Sequence, residues 1–184
     1  MAFTAIYDAC VLHPQGLRDL LVRLGMTGLF RARWTDQILD EMVGSVLRRY
    51  PDLSHADLAR TRQLMCDAVP DSLVTGYEGL TEVLALPDPD DRHVLAAAIV
   101  AGAEVIVTDN ATDFPPDALA PFNIETQTAD DFVLHLVDLA PAAVSTVVNQ
   151  QAADLRNPPM TTEEVLDRLA VSGLRRSVAA LRHL

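Results

Sequence analysis

The stretch Leu86-Pro-Asp-Pro-Asp-Asp-Arg-His-Val-Leu-Ala-Ala-Ala-Ile-Val-Ala-Gly-Ala-Glu-Val-Ile-Val-Thr-Asp-Asn-Ala-Thr-Asp-Phe114 sets the architecture of this chain. It joins an acidic cluster, a helix, a strand and a second acidic cluster in one run. Asp88 has the character of a helix N-cap, and Pro89 suits the first helical position, where a missing N–H is no loss. Residues 90–101 then read as a helix that Gly102 stops. Val94, Leu95, Ala98, Ile99 and Gly102 carry an apolar stripe at helical spacing. Asp91 lies one turn before Leu95 and two before Ala98, so it falls on that stripe. A lone carboxylate there is costly to bury and needs a cap role, a cation or a metal. Val105-Ile-Val-Thr108 follows, an apolar run of the kind found in a central parallel strand covered on both faces. Asp109, Asn110 and Asp113 stand at its carboxyl end, and ligands of open α/β sheets bind beyond those ends.

On either side of this stretch the pattern continues. Phe3–Tyr7 reads as a short strand with Asp8 at its end. Residues 14–30 read as a helix with Leu17, Leu20, Leu21 and Leu24 on one face. Thr35 caps a helix to Tyr50, stopped by Pro51, with Glu41 just outside its apolar stripe. A helix from Ser54 to about Ala68, a strand over Ser72–Tyr77 and a strand over Phe122–Thr126 are expected. Thr128 with Asp131 is a capping box for a helix ending near Leu139. Alternating strands and helices predict an α/β protein, a parallel sheet with helices on both faces. Residues 141–157 read as helical, and Thr161 with Glu164 opens a helix to Val171 before a last one to His183. The expected organisation is a sheet domain over residues 1–140 with an appended C-terminal helical hairpin over 141–184. No internal repeat or low-complexity segment is visible.

The chain has 184 residues, 49% of them apolar, enough for a sizeable core. No apolar run approaches the ~20 residues of a membrane span, and no basic region precedes an apolar run at the start. Cys10 and Cys66 make no metal spacing, and two isolated cysteines suit a reducing compartment, so a cytoplasmic location is expected. The net charge of −12 argues against a general basic groove for nucleic acid. It leaves room for nucleic acid at a site whose charge is set by bound metal. There is no lysine at all, which excludes Walker-type phosphate lysines and Schiff-base chemistry.

Four acidic positions are placed to converge: Asp8 after the first strand, Glu41 on a helix, Asp90/Asp91 at a helix start, and Asp109/Asp113 beyond the Val105–Thr108 strand. Hard divalent cations take oxygen ligands at ~2.0–2.1 Å and are held by few carboxylates plus water and phosphate. Two such ions ~3.5–4 Å apart activate water and stabilise the leaving oxygen of a phosphodiester. Each acid also has a plain structural reading. Asp90 and Asp91 favour a helix dipole, Glu41 is an ordinary helix-surface residue, and Asp109 and Asp113 are turn formers. Asp8 has the weakest structural alternative. His13, His93 and His135 show no ligand spacing and read as structural, and Arg48-Arg49 and Arg175-Arg176 read as solvated faces.

Four segments together carry a family resemblance: Phe3-Thr-Ala-Ile-Tyr-Asp-Ala-Cys-Val-Leu12, Ile38-Leu-Asp-Glu-Met42, Asp88-Pro-Asp-Asp-Arg-His-Val-Leu-Ala-Ala-Ala98 and Val107-Thr-Asp-Asn-Ala-Thr-Asp-Phe-Pro115. They resemble the successive motifs of PIN domains, metal-dependent ribonucleases, and most of all VapC toxins of bacterial toxin–antitoxin pairs. The resemblance covers about residues 3–135 and implies a three-layer α/β/α fold. It matches Asp8 to the first acid, Glu41 to the second and Asp91 to the third. Where family members often carry an acid two residues after the threonine, this chain has Asn110 after Thr108. Asp113 or Asp109 must then supply the charge, with Asp90, Asn110 and Thr108 as additional candidates. The resemblance implies Mg²⁺ or Mn²⁺, an RNA substrate such as tRNA or rRNA, a VapB-like antitoxin and, commonly, a homodimer. The tail from about residue 141 resembles the C-terminal extension of a VapC subgroup.

Two rival functions follow from the same residues. A phosphatase on a similar sheet wants an acid two residues after its nucleophilic Asp, but Asp8 is followed by Ala9-Cys10. A catalytically inactive binding domain would use the acidic pocket to dock an arginine-bearing partner, because an arginine fork matches carboxylates. An antitoxin that works this way needs apolar contacts as well, and the leucine-rich helices of residues 14–30 and 54–68 are the expected groove.

Overall fold

A computed structural model describes residues 2–184 of the chain. Its centre is a four-stranded, all-parallel sheet in the order β2-β1-β3-β4. Strand β1 (Thr4–Tyr7) is buried along its whole length and lies between β2 (Arg31–Arg33) and β3 (Val105–Val107). The fourth strand, β4 (Glu125–Gln127), closes the far edge. Short apolar strands covered on both faces account for the apolar runs in β1 and β3.

The first half of the chain places α1 (Ala9–Leu12), α2 (Gln15–Gly25), α3 (Asp36–Arg49) and α4 (His55–Ala68) around β1 and β2. Thr35 caps α3 through a bond from Ile38 N, and Ser54 caps α4 through one from Asp57 N. Arg62 of α4 reaches Asp36 and Asp40 of α3, tying these two helices together. After α5 (Glu78–Thr81) comes the acidic stretch that opens at Leu86. Asp88 accepts a bond from Asp90 N at 2.9 Å, and Pro89–Asp91 form a single 3-10 turn. Helix α6 (Arg92–Ala101) follows and ends at Gly102, whose φ of +60° is the left-handed region where a side chain is strained. The chain continues through β3, the short α7 (Pro116–Leu119), β4 and α8 (Ala129–Leu139), capped by Thr128. Helices on both faces make the three-layer α/β/α arrangement expected from the sequence.

The core is centred on an aromatic group. The rings of Phe3, Tyr7, Phe30, Trp34 and Phe132 pack with centroids 5.0–6.3 Å apart, within the range for favourable ring pairs. The buried Tyr7 hydroxyl donates to Leu21 O at 3.0 Å, which satisfies it.

Several elements differ from the sequence reading. The helix expected over residues 14–30 stops at Gly25, and Arg31–Arg33 form the edge strand β2. Two arginines around Ala32 lack the β-branched, apolar signature of a strand, so pairing with β1 decides the structure there. No strand forms over Ser72–Tyr77; Leu73 makes only an isolated bridge to Trp34. The last strand is Glu125–Gln127, three residues beyond the start of the expected Phe122–Thr126, because Ala120–Phe122 turn as a short 3-10 segment.

The tail holds α9 (Pro141–Asp154), α10 (Thr162–Val171) and α11 (Arg175–Leu181). Gln151 of α9 donates to Gly16 O at 2.9 Å, and Asp154 pairs with Arg23 at 2.8 Å, so α9 is fixed to α2. Asp130 of α8 accepts from Arg176 N at 2.9 Å, Ser177 N at 2.8 Å and the Ser177 hydroxyl at 2.7 Å, so α11 is fixed to α8. Among the described residues no single helix is long and apolar enough to cross a membrane.

Candidate active site

The site begins with the register of the two central strands. Tyr7 lies opposite Val107, and the ladder runs one residue further through Asp8 N to Val107 O at 3.1 Å. Thr108 N bonds Gln127 O at 2.9 Å in the same way. This continuation brings Asp8 and Thr108 side by side at the carboxyl end of the sheet. The Thr108 hydroxyl donates to Asp8 Oδ2 at 2.7 Å. The Cys10 thiol, one residue into α1, also donates to Oδ2, at 3.1 Å. Both bonds land on one oxygen and leave Oδ1 for a ligand. Thr108 is fully buried and Asp8 is 5% exposed, so this carboxylate is held in a fixed place. Burial and the Asp8 charge push the Cys10 thiol up to about 12, which makes it a hydrogen-bond donor rather than a nucleophile.

The second carboxylate is Asp91, at the N-cap of α6. Burial pushes it up to about 6, and the charges of Asp8, Asp113 and Asp88 push in the same direction; only His93 opposes them. Asp91 therefore stands within Coulombic range of three other carboxylates, Asp8, Asp113 and Asp88, with only His93 to offset them. Asp113 is the last residue of a short 3-10 turn, and its charge acts on Asp91. The turn over Pro89–Asp91 leaves Asp90 exposed and Asp91 half-buried, and α6 itself begins later than expected.

The other predicted positions sit differently. Asp109 is exposed, and its Oδ1 accepts from Ala129 N at 3.2 Å, so it serves the start of α8. Asn110 is exposed, and its backbone N–H donates to the Thr108 hydroxyl at 3.0 Å. Glu41 faces α6, where its Oε1 is 2.8 Å from His93 Nε2. His93 is only 2% exposed and holds Glu41 from the far helix of the site. The sequence reading missed this link, although the buried stripe of α6 passes next to His93. Among the described residues, no three His, Cys, Asp or Glu side chains form a ready-made metal cage. The donor set itself is hard oxygen with uncompensated charge, which suits a cation that keeps waters among its ligands.

A wide groove lies elsewhere. It holds about 1110 Å³ between α2, α4 and the tail, and is lined by Arg23, Met26, Leu64, Met65, Met160 and Leu169 among others. None of Asp8, Glu41, Asp91 or Asp113 borders it.

Comparison with known proteins supports this picture. Residues 129–183 match a family model described as the VapC50 C-terminal domain. Over 105 residues the chain is 39% identical to "Putative ribonuclease VapC50" of Mycobacterium tuberculosis (strain ATCC 25618 / H37Rv), covering 55% of this chain and 62% of that protein. The chain thus spans less than two thirds of the curated relative it matches. No solved structure matches it. The family model described simply as PIN domain matches residues 4–112, which is more than half of the chain and takes in Asp8, Glu41, Asp91 and Thr108. The chain belongs to the PIN domain family.

Proposed function

We propose that this chain is a metal-dependent endoribonuclease and the toxin of a VapBC-type toxin–antitoxin pair. The observation that carries the reading is a buried Asp8 carboxylate, held through one oxygen by Thr108 and Cys10 at the carboxyl end of the sheet, whose charge acts together with those of Asp113 and Asp88 on a half-buried Asp91. A site of that kind gains stability from a bound cation. Asp8, Asp91 and Asp113 would hold Mg²⁺ or Mn²⁺; a divalent cation supplies a Lewis acid for a phosphoryl oxygen and lowers the pKa of water. Thr108 and Cys10 fix Asp8 by binding one oxygen and leaving the other free. Glu41 is held by His93, whose ring also acts on Asp91, and from there it would position a water. Hydrolysis forms a bond from the water oxygen to phosphorus and breaks the bond to a ribose oxygen in line with it.

The relative's name supports RNA as the substrate class, and tRNA or rRNA are the targets to test first. The groove between α2 and α4 is the proposed seat of a VapB-like antitoxin, whose arginines would reach the acidic cluster. It lies between the two leucine-rich helices singled out in the sequence, although Leu17, Leu20, Leu21 and Leu24 of α2 are buried in the core; Val22, Met26, Leu64 and Met65 line it instead, and the tail adds a third wall. A homodimer and a cytoplasmic location belong to the same proposal.

The test is cleavage of RNA by the purified chain in Mn²⁺, in Mg²⁺ and after EDTA. Discrete fragments that require metal are expected. RNA left intact in every metal, with the chain still folded, supports the alternative of an inactive domain that uses its acids to dock an arginine-bearing partner.

A further inference from the structure

The acidic site has a basic neighbour that the −12 net charge conceals. Two short helical paths lead to it. Helix α1 starts at Asp8, its N-cap, and ends at His13, its C-cap. Helix α3 carries Glu41 and then, one turn on, Ser45. The paths meet again where Ser45 Oγ and His13 Nδ1 are 2.9 Å apart. Arg48 lies one more turn along α3, but its guanidinium folds back over Gly44: a Cβ on Gly44 would sit 3.5 Å from Nη1. The charge therefore stands about level with Ser45 rather than at the helix tip. Arg49 sits over the ring of Tyr50 at 5.8 Å, and that ring is 53% exposed. Arg18, nearly buried, donates to the carbonyls of Leu12 and His13 at 2.8 and 3.3 Å.

The field at this place is positive. His13 is held below the ordinary histidine range, first by loss of water and then by Arg18, Arg49 and Arg48. Among the described residues, neither Arg48 nor Arg49 pairs with a carboxylate; Arg31, Arg33, Arg60, Arg92, Arg156, Arg168 and Arg175 are also without one, but of these unpaired arginines only Arg48 and Arg49 act on His13. Two free guanidinium groups beside an exposed aromatic ring are the combination that grips single-stranded nucleic acid: cations for phosphates, a ring for a base.

We infer that His13, Ser45, Arg48, Arg49 and Tyr50 form a track for single-stranded RNA leading away from the Asp8/Glu41 site, binding the phosphates next to the one that is cleaved. Arg48 and Arg49 neutralise phosphates, Ser45 and His13 supply hydrogen bonds, and Tyr50 stacks a base. Glu41 and Arg48 are seven residues apart on one helix, ~10 Å by helical rise. A strand on the track is thus brought to the acids. This inference rests on the ribonuclease reading for its substrate, and it is testable apart from it.

The experiment measures binding of a fluorescent single-stranded RNA by anisotropy over a range of salt, in an Asp8→Asn background so that RNA stays intact. The Arg48→Ala/Arg49→Ala double variant should bind at least tenfold more weakly, and its log affinity should fall less steeply with log salt, by about 0.7 for each phosphate no longer neutralised. Tyr50→Ala should weaken binding about fivefold or more, while Tyr50→Phe should bind like the parent. Arg168→Ala, on α10, should change nothing. Poly-glutamate as a second ligand separates RNA from acidic protein: Tyr50→Ala should leave its binding unaltered. Unchanged RNA affinity and salt slope in a folded double variant overturns the track, as does an equal loss for poly-glutamate in Tyr50→Ala. Cleavage by the Asp8 form is scored separately. Cleavage without a track defect removes only this inference, and a track defect without cleavage removes only the enzyme reading.

Discussion

Asp8 closes an apolar strand and is buried, which in a folded protein calls for partners. The sequence made Asp8 and Asp91 legible because strand end and helix phase point both inward. It did not make the choice between Asp109 and Asp113 legible, since both follow the same strand and both suit a turn. In the structure Asp109 is bonded to the start of α8, a contact 20 residues away that no local pattern announces. His93 was equally hidden, because its partner Glu41 lies on another helix. Two outcomes follow for single side chains. Thr108→Val keeps the shape but removes the donor to Asp8, so RNA cleavage should fall by about 10–100-fold, while Thr108→Ser retains most of it. Asp91 takes up protons more readily in the fold than in the unfolded chain. Its contribution to stability therefore falls as pH rises from about 4 to about 6 and stays low above that. Asp91→Asn should accordingly raise the melting temperature of the metal-free protein at pH 7 by on the order of 2 °C, with little gain at pH 4. Differential scanning fluorimetry at the two pH values reads this directly.

Elements with strong local signals were read correctly from the sequence. Thr35, Ser54, Thr128 and Thr161 all cap helices through their side chains, and Gly102 ends α6. The strands were harder. Those paired here are three or four residues long, so a single residue decides each boundary, and β2 is two arginines around an alanine. Such a strand exists because β1 offers it hydrogen bonds, not because of its own composition. The attachment of α11 through Asp130 was not legible either, being a contact 47 residues apart. Burial pushes the Asp130 carboxyl up, but the bonds from Ser177 and Arg176 outweigh it and hold it below the usual range. Its stabilising effect is present above the ordinary carboxylate range and is lost as pH falls through the folded value. Asp130→Ala should cost about 1–3 kcal/mol in urea unfolding at pH 7, and the difference from wild type should narrow in acid.

Across the protein as a unit, charge is distributed rather than merely negative. The acids gather beyond the carboxyl ends of β1 and β3, a basic patch lies along α1 and α3, and a wide, mostly apolar groove opens between α2, α4 and the tail. These are the regions proposed above for metal, RNA and a protein partner. Composition alone suggested only that RNA needs a metal-set site. The local patch is invisible to a net charge because Arg48 and Arg49 come from one helix and His13 from another part of the chain. If the Asp8, Asp91 and Asp113 carboxylates form one RNA-cleaving centre, removing a single charge from it should disable the whole. The decisive measurement is single-turnover cleavage of RNA in Mn²⁺ by wild type and by Asp8→Asn, with circular dichroism confirming that the variant is folded. The variant should lose more than the roughly 10–100-fold typical of a residue behind the ligands, with its thermal stability kept or raised. Undiminished, metal-dependent cleavage by folded Asp8→Asn would contradict the assignment of this centre.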